Sequence, residues 1–224
     1  MHVLDRPAWA SLNTYHERLS TGGSLARRYA ADVNVFAATV DDSAAASAAL
    51  AELIGPSEQL VLVQSAKILI HPKLAAVKQA RVVQMMAARG CARIPSAEIL
   101  KMTEQDGEDM LALAKLTEPG PFLSRTHLMG SFIGVRIGGR LAAMAGERFR
   151  TPGYTEVSGV CTHPDFRGRG LARMLSAAVA EGIERRGDVP FLHAWTSNRA
   201  AIDLYESLGF EIRAELELTV VAAA

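Results

Sequence analysis

Residues 155–172 read TEVSGVCTHPDFRGRGLA, an apolar strand that stops at a turn and gives way at once to a helix start rich in glycine and arginine. Val157, Val160 and Cys161 carry the β character. Pro164, which has no N–H and keeps His163 extended, ends the strand at about Thr162. Arg167-Gly168-Arg169-Gly170 then leads into Leu171, Met174, Leu175, Ala178, Val179, Gly182 and Ile183, whose three- and four-residue spacing marks one face of a helix. The first N–H groups of that helix therefore fall in the glycine run. Unpaired donors, the positive end of the helix dipole, absent Cβ atoms and flanking arginines make a cradle for phosphate. The bland alternative is an exposed turn with a solvated basic face, and RGRG alone does not separate the two.

The surroundings do. Arg167-x-x-Gly170-x-Ala172 at a strand-to-helix junction resembles the acyl-CoA pyrophosphate signature of the GNAT superfamily of N-acyltransferases, (Gln/Arg)-x-x-Gly-x-(Gly/Ala). Downstream, NRAAIDLYESLGF at 198–210 resembles the next signature of that family, Asn-x-x-Ala-x-x-x-Tyr-x-x-x-Gly-Phe. The wording around both, with MAGER at 144–148 ahead of TPGYTEVSGVCTHPDFRGRG, is most similar to the FR47-like branch.

Composition sets limits on the function. Hydrophobic residues at 49% and charged residues at 21% describe a soluble globular chain with ample core, and 224 residues are comfortable for two small units. Lys+Arg and Asp+Glu both number 24, so no global field draws in nucleic acid, and a phosphate site must be local; Arg167, Arg169 and Arg173 form such a cluster. Cys91 and Cys161 lie far apart without metal-ligand spacing, which fits a reducing setting and no bound metal. No segment approaches a membrane span, and no uninterrupted apolar leader opens the chain, so the cytoplasm is the expected location.

Taken in order, Asp5 and Pro7 start a helix carrying Trp9, Leu12, Tyr15, His16 and Leu19. Val33–Val40 is expected as a strand, Asp41 to Ser43 cap an alanine-rich helix, and Gln59–Val63 and Arg81–Met86 are further strands. His16 and His71 are expected as uncharged packing or surface residues. These elements make a smaller α/β domain over 1–90, loosely similar to a degenerate GNAT-like half, with a boundary in the Ala87–Pro95 tract. From 91 to 224 the expected order is strand 99–102, helix, hairpin 132–147 about Gly138-Gly139, strand 155–162, helix, strand 191–196, helix and strand 210–221. The last alternates strictly, with Ile212, Ala214, Leu216, Leu218 and Val220 on one face, and offers an edge for a partner copy in a homodimer.

That order is similar to the GNAT core, an α/β (α+β) fold with a mixed, mostly antiparallel sheet flanked by helices. The resemblance implies that the strand at 155–162 splays from the strand at 191–196 and that acetyl-CoA, as co-substrate, lays its pantetheine arm in the gap. It places Val160, Cys161, Thr162, Arg167, Gly168, Arg169, Gly170, Leu171, Ala172 and Asn198 at the cofactor. For the chemistry, an amine of pKa about 10 must lose a proton, and a thiolate of pKa about 8.5 must gain one. Tyr205 stands in the family's position for the acid. Glu156 is the first candidate base, His193 the second and Glu147 the third, beside a water route with no dedicated base. Cys161, a thiol in an apolar strand with no histidine paired by spacing, is a poor nucleophile. The expected function is transfer of acetyl to a primary amine of a small molecule or a protein or peptide. A non-catalytic acyl-CoA sensor is the rival, and nucleic acid and membrane are not expected partners.

Overall fold

The computed structural model describes residues 2–88 and 99–224. Helix α1 (Pro7–Leu12) is half the expected length. Asn13 and Thr14 end it by turning their side chains onto the carbonyls of Trp9 and Ala10, at 2.8 and 2.7 Å, in competition with the next helical N–H groups. Strands β1 (Ser20–Gly22), β2 (Ala26–Tyr29) and β3 (Ala37–Thr39) form a three-stranded antiparallel sheet, so the strand expected over 33–40 is confined to its second half. Ser43 caps α2 (Ala44–Ala51) as its sequence requires.

The remaining strands are β4 (Gln59–Gln64), β5 (Leu74–Ala87), β6 (Leu100–Lys101), β7 (Phe132–Ile137), β8 (Arg140–Thr151), β9 (Tyr154–Thr162), β10 (Val189–Trp195) and β11 (Phe210–Ala223). They make one sheet in the order β4-β11-β5-β10-β9-β8-β7-β6, antiparallel at every join except β9 to β10. Helices α3 (Gly107–Thr117), α4 (Leu171–Arg185) and α5 (Arg199–Glu206) complete the chain. One face of the sheet buries Val83, Met85, Leu192 and Ala194 with Leu175, Val179 and Ile183 of α4 and Ile202 of α5. The other face buries Val82, Phe191, Leu216 and Leu218 against Leu4, Leu12, Tyr29, Phe36 and Phe149.

The strand order bears on two expectations. The tract expected to hold a domain boundary lies largely outside the described residues; of the strands before it, β1 to β3 form their own small sheet, whereas β4 and β5 belong to the large one. β5 inserts between β10 and β11, and β4 covers the far side of β11. The reason is an unsatisfied ladder: β10 and β11 are joined by the short α5 and do not pair with one another, and β5 bonds to both, through Phe191↔Met86 to Trp195↔Val82 and Phe210↔Ala87 to Ala223↔Leu74. The C-terminal strand is consequently interior over Glu217–Ala222, where β4 covers it, and keeps an open side only over its first half. Its alternation is also interrupted, because a bulge between Ile212 and Ala214 leaves Ile212 49% exposed and Arg213 unpaired in the ladder.

Candidate active site

β9 and β10 pair only from Val189↔Tyr154 to Phe191↔Glu156 and then part. Beyond Glu156, β9 keeps its β8 partner on one side and presents an open main-chain edge on the other. Gly159, at φ +62, takes the left-handed backbone that lets β9 bulge at this point. A cavity of about 440 Å³ lies at the parting. Val160, Asn198, Ala201 and Tyr205 line it from the α5 side, and His193, Arg148, Phe36 and Val82 line it from the opposite face. The cavity therefore passes through the sheet.

A buried polar ladder crosses five adjacent strands beside it. Arg148 on β8 donates to both carboxylate oxygens of Glu156 on β9, at 2.8 and 2.6 Å, and the Phe149 N–H adds a third bond at 3.3 Å. Glu156 Oε1 also meets His193 Nδ1 of β10 at 2.6 Å. Gln84 Nε2 of β5 reaches His193 Nε2 at 3.0 Å and donates to the Leu4 carbonyl at 3.0 Å. Arg213 of β11 then donates to Gln84 Oε1 at 2.8 Å and to Asp5 at 2.6 Å. Two bulges aim the ends inward. On β8 two residues, Arg148 and Phe149, oppose Glu156 alone, and on β11 the unpaired Arg213 turns toward Gln84.

The ladder assigns its own protons. Arg213 and the Leu4 carbonyl fix the Gln84 amide with its oxygen toward β11 and its nitrogen toward His193, so His193 Nε2 accepts and Nδ1–H donates to Glu156. Glu156 is wholly buried and does not line the cavity. Burial alone would raise its pKa, but the Arg148 charge, then His193 and their hydrogen bonds, outweigh this and hold it down at about 2. The geometry thus departs from the expectation that Glu156 takes the amine's proton, since a buried carboxylate that accepts four N–H bonds has no lone pair to offer. His193 does line the cavity, but both its nitrogens are engaged. Glu147, the third candidate, is spent on Arg186 at 2.8 Å.

Tyr205 lines the cavity with its ring edge-on to Phe210, 6.0 Å between centroids. Burial foremost, with the Glu156 charge second, pushes its pKa up to about 12, so the phenol stays protonated near neutrality. Cys161 is buried and its thiol is likewise pushed up by burial, to about 11, as its apolar strand requires. Asn198 accepts the Ala201 N–H at 3.2 Å as the cap of α5, which uses its oxygen and leaves its amide hydrogens free to serve the cavity it lines.

The turn expected to form the cradle has the backbone its glycines allow. α4 starts at Leu171 with no side-chain cap, and Gly168 and Gly170 sit at φ +77 and +72. A Cβ at either glycine would meet nothing within 4 Å, so the turn is open to a ligand rather than packed. Arg167, Arg169 and Arg173 are exposed around it. Replacing Gly170 by Asp is expected to weaken acetyl-CoA binding at least ~10-fold, about 1.4 kcal/mol, because a carboxylate would occupy the anion's place. Calorimetric titration of a folded Gly170→Asp protein that shows unchanged affinity would remove the cradle from the binding site.

Arg148 and Gln84 were not singled out from the sequence. For Arg148 the signal is incomplete: counting back along both arms of the hairpin from Pro152-Gly153 sets Phe149 opposite Glu156, and only the bulge brings Arg148 to the same carboxylate. Gln84 had none, because its partners lie on strands remote in sequence.

Comparison with known proteins agrees with this architecture. A profile of the family described as FR47-like protein matches residues 132–218. A protein of Novosphingobium aromaticivorans, assigned to the GNAT family of acetyltransferases, is 42% identical over the whole of both chains, with a TM-score of 0.94. The [ribosomal protein bS18]-alanine N-acetyltransferase of Salmonella typhimurium is 50% identical over 52 residues, 23% of this chain and 35% of that protein. The N-alpha-acetyltransferase RimI of Mycobacterium tuberculosis is 37% identical over 83 residues, 36% of this chain and 51% of that protein. The matches to these curated relatives thus span only about a third to a half of their length. No described helix is long and apolar enough to cross a membrane.

Proposed function

This chain belongs to the GNAT family, and we propose that it transfers an acetyl group from acetyl-CoA to a primary amine by direct attack of the amine on the thioester. The observation that carries this reading is the cavity that passes through the sheet where β9 and β10 part, with Tyr205 on one face and His193 and Arg148 on the other. Arg167, Gly168, Arg169, Gly170, Leu171 and Ala172 would hold the pyrophosphate, and the open edge of Val160, Cys161 and Thr162 with the Asn198 amide would hold the pantetheine arm. The open space over both glycines and the uncapped end of α4 fit such a group. Acetyl-CoA supplies the acetyl group as an activated thioester. In the balanced step, a nitrogen–carbon bond forms, the carbon–sulfur bond breaks, the amine gives up one proton and the sulfur takes one.

Tyr205 serves the departing sulfur as hydrogen-bond donor. Full transfer from a phenol at about 12 to a thiolate at about 8.5 is uphill, so the phenol stabilises the charge and solvent completes the protonation. On the other face, Glu156 and His193 act as positioning residues that staple β9 to β10 where the two strands begin to part. The amine's proton leaves to water, because no nominated base turns a free lone pair to the cavity.

The test is thiol release from acetyl-CoA with a panel of amines, repeated across pH for Glu156→Gln and His193→Gln. Both variants are expected to keep the shape of the wild-type pH–rate profile while kcat falls by no more than about tenfold. Loss of roughly 10²–10⁴-fold together with disappearance of one limb would make the altered residue the base after all. Tight acetyl-CoA binding with no amine raising thiol release above background would replace the enzyme reading with that of a sensor.

A further inference from the structure

The half of the cavity that faces away from α5 is walled by Phe36, Val61, Val63, Val82, Leu218 and Val220. Four of these six come from the first 88 residues, a region that the FR47-like profile at 132–218 does not reach. We infer that this wall is the acceptor pocket, and that the amine it takes is a small primary amine borne on an aromatic or branched aliphatic body with no second charge. The inference rests on the acyl transfer proposed above and deepens it by naming the acceptor class.

Position comes first. The amine attacks a face of the planar thioester carbonyl and must reach it through the part of the cavity that the thiol and its pantetheine arm do not fill. Tyr205, which serves the sulfur, lies with the α4 and α5 core, whereas all six wall residues belong to the opposite core. Chemistry comes second. The one charged side chain deep in the cavity, Arg148, is neutralised by Glu156 and lies flat between Phe36 and Phe149, at 4.8 and 4.9 Å from their ring centres. Its charge is paired, and its Nε and Nη2 donors are engaged. Lys78 and Glu118 also line the cavity, but both are exposed, and Lys78 rests over the exposed Trp195 at 4.9 Å, so they stand at its mouth. A polyamine or an amino acid side-chain amine would bring a second charge against valine, leucine and phenylalanine with no counter-ion to receive it. An uncharged body gains from the same surface, and an apolar chamber also disfavours the ammonium form, which eases the loss of the proton before attack. Size comes third. About 440 Å³ shared with the thioester end leaves room for a body of a few carbons or one ring and not for a folded partner.

The experiment is an amine ladder on the full-length wild-type protein with acetyl-CoA: methylamine, propylamine, isoamylamine and 2-phenylethylamine against spermidine, free lysine and an alanine-initiated peptide. The expected result is a rise in kcat/KM of about fourfold for each methylene buried, reaching at least 10²-fold for isoamylamine and 2-phenylethylamine over spermidine and the peptide. Val63→Thr, which keeps the shape and adds a hydroxyl, should raise KM for 2-phenylethylamine several-fold with kcat and acetyl-CoA affinity unchanged. A flat ladder, or preference for spermidine or the peptide, overturns the pocket assignment while leaving acyl transfer intact. A flat ladder joined to a preference for hexanoyl-CoA over acetyl-CoA gives the wall to the acyl chain and likewise overturns it. Should no amine turn over, the acyl-transfer reading falls, and calorimetric titration with N-acetyl-2-phenylethylamine decides the pocket by itself: binding that Val63→Thr weakens upholds it, and no binding overturns it.

Discussion

Replacing Arg148 by alanine is expected to lower the unfolding free energy by about 3–5 kcal/mol, the loss found when one partner of a buried ion pair is removed. For a chain of this size that is a fall in melting temperature of roughly 6–20 °C. The cause is the carboxylate left behind. Glu156 is wholly buried, and without the bidentate guanidinium it keeps only the Phe149 N–H and His193 as donors. The effect also carries a pH signature. In the wild type the Glu156 pKa is depressed to about 2 from 4.5, so the stability it contributes is fully present above about pH 4.5 and is lost as pH falls through the folded value. In Arg148→Ala burial is less opposed and the folded pKa rises, so the deficit against wild type grows as pH is raised from 4 to 7. Melts of both proteins at the two pH values check this. Arg148→Met combined with Glu156→Gln removes both charges and should regain most of the loss. A single variant within about 1 kcal/mol of wild type at pH 7 would mean that the ladder contributes little to the fold.

The Tyr205→Phe variant is expected to lose about 10²-fold in kcat and kcat/KM together, with acetyl-CoA affinity and melting temperature close to wild type. The ring that packs on Phe210 remains and only the hydroxyl goes. The loss sits at the lower end of what a proton donor contributes, because a phenol at about 12 donates a hydrogen bond more readily than it surrenders its proton. An acyl donor whose thiol leaves more easily should narrow the gap between variant and wild type. Steady-state rates beside thermal melts decide the matter: undiminished turnover removes Tyr205 from the mechanism, and a lowered melting temperature with intact turnover makes it a packing residue.

Most of the second half was legible because its signals are local. Pro164, the Arg167–Gly170 run and the apolar period that follows are neighbours in the chain, and they gave the strand end, the glycine turn and α4 with nearly the bounds observed. The Gly138-Gly139 turn placed the β7–β8 hairpin for the same reason, both glycines having positive φ. Asn198 and Gly209 marked both ends of the α5 segment through side-chain capping and a φ of +92. The place of β4 and β5 in the large sheet is not legible in the same way, because strand patterns report that a segment pairs and not with what. Arg81–Met86 carries the same apolar run whether it closes a small sheet or fills the place between β10 and β11.

By itself, then, the sequence determined the elements of the second half and their order, the open glycine turn before α4 and the choice of Tyr205 and Asn198 as cavity candidates, since each depends on spacings of a few residues. Only the tertiary structure decided the rest. It set Glu156 behind Arg148 and His193 rather than in the cavity, made His193 an acceptor from Gln84, and brought Phe36, Val61, Val63 and Val82 to the cavity wall. Those outcomes hang on which strands become neighbours and on bulges that turn Arg148 and Arg213 inward. Neither is encoded in local spacing, because strand adjacency is settled by which arrangement pairs every buried N–H and C=O group and covers both faces of the sheet at once.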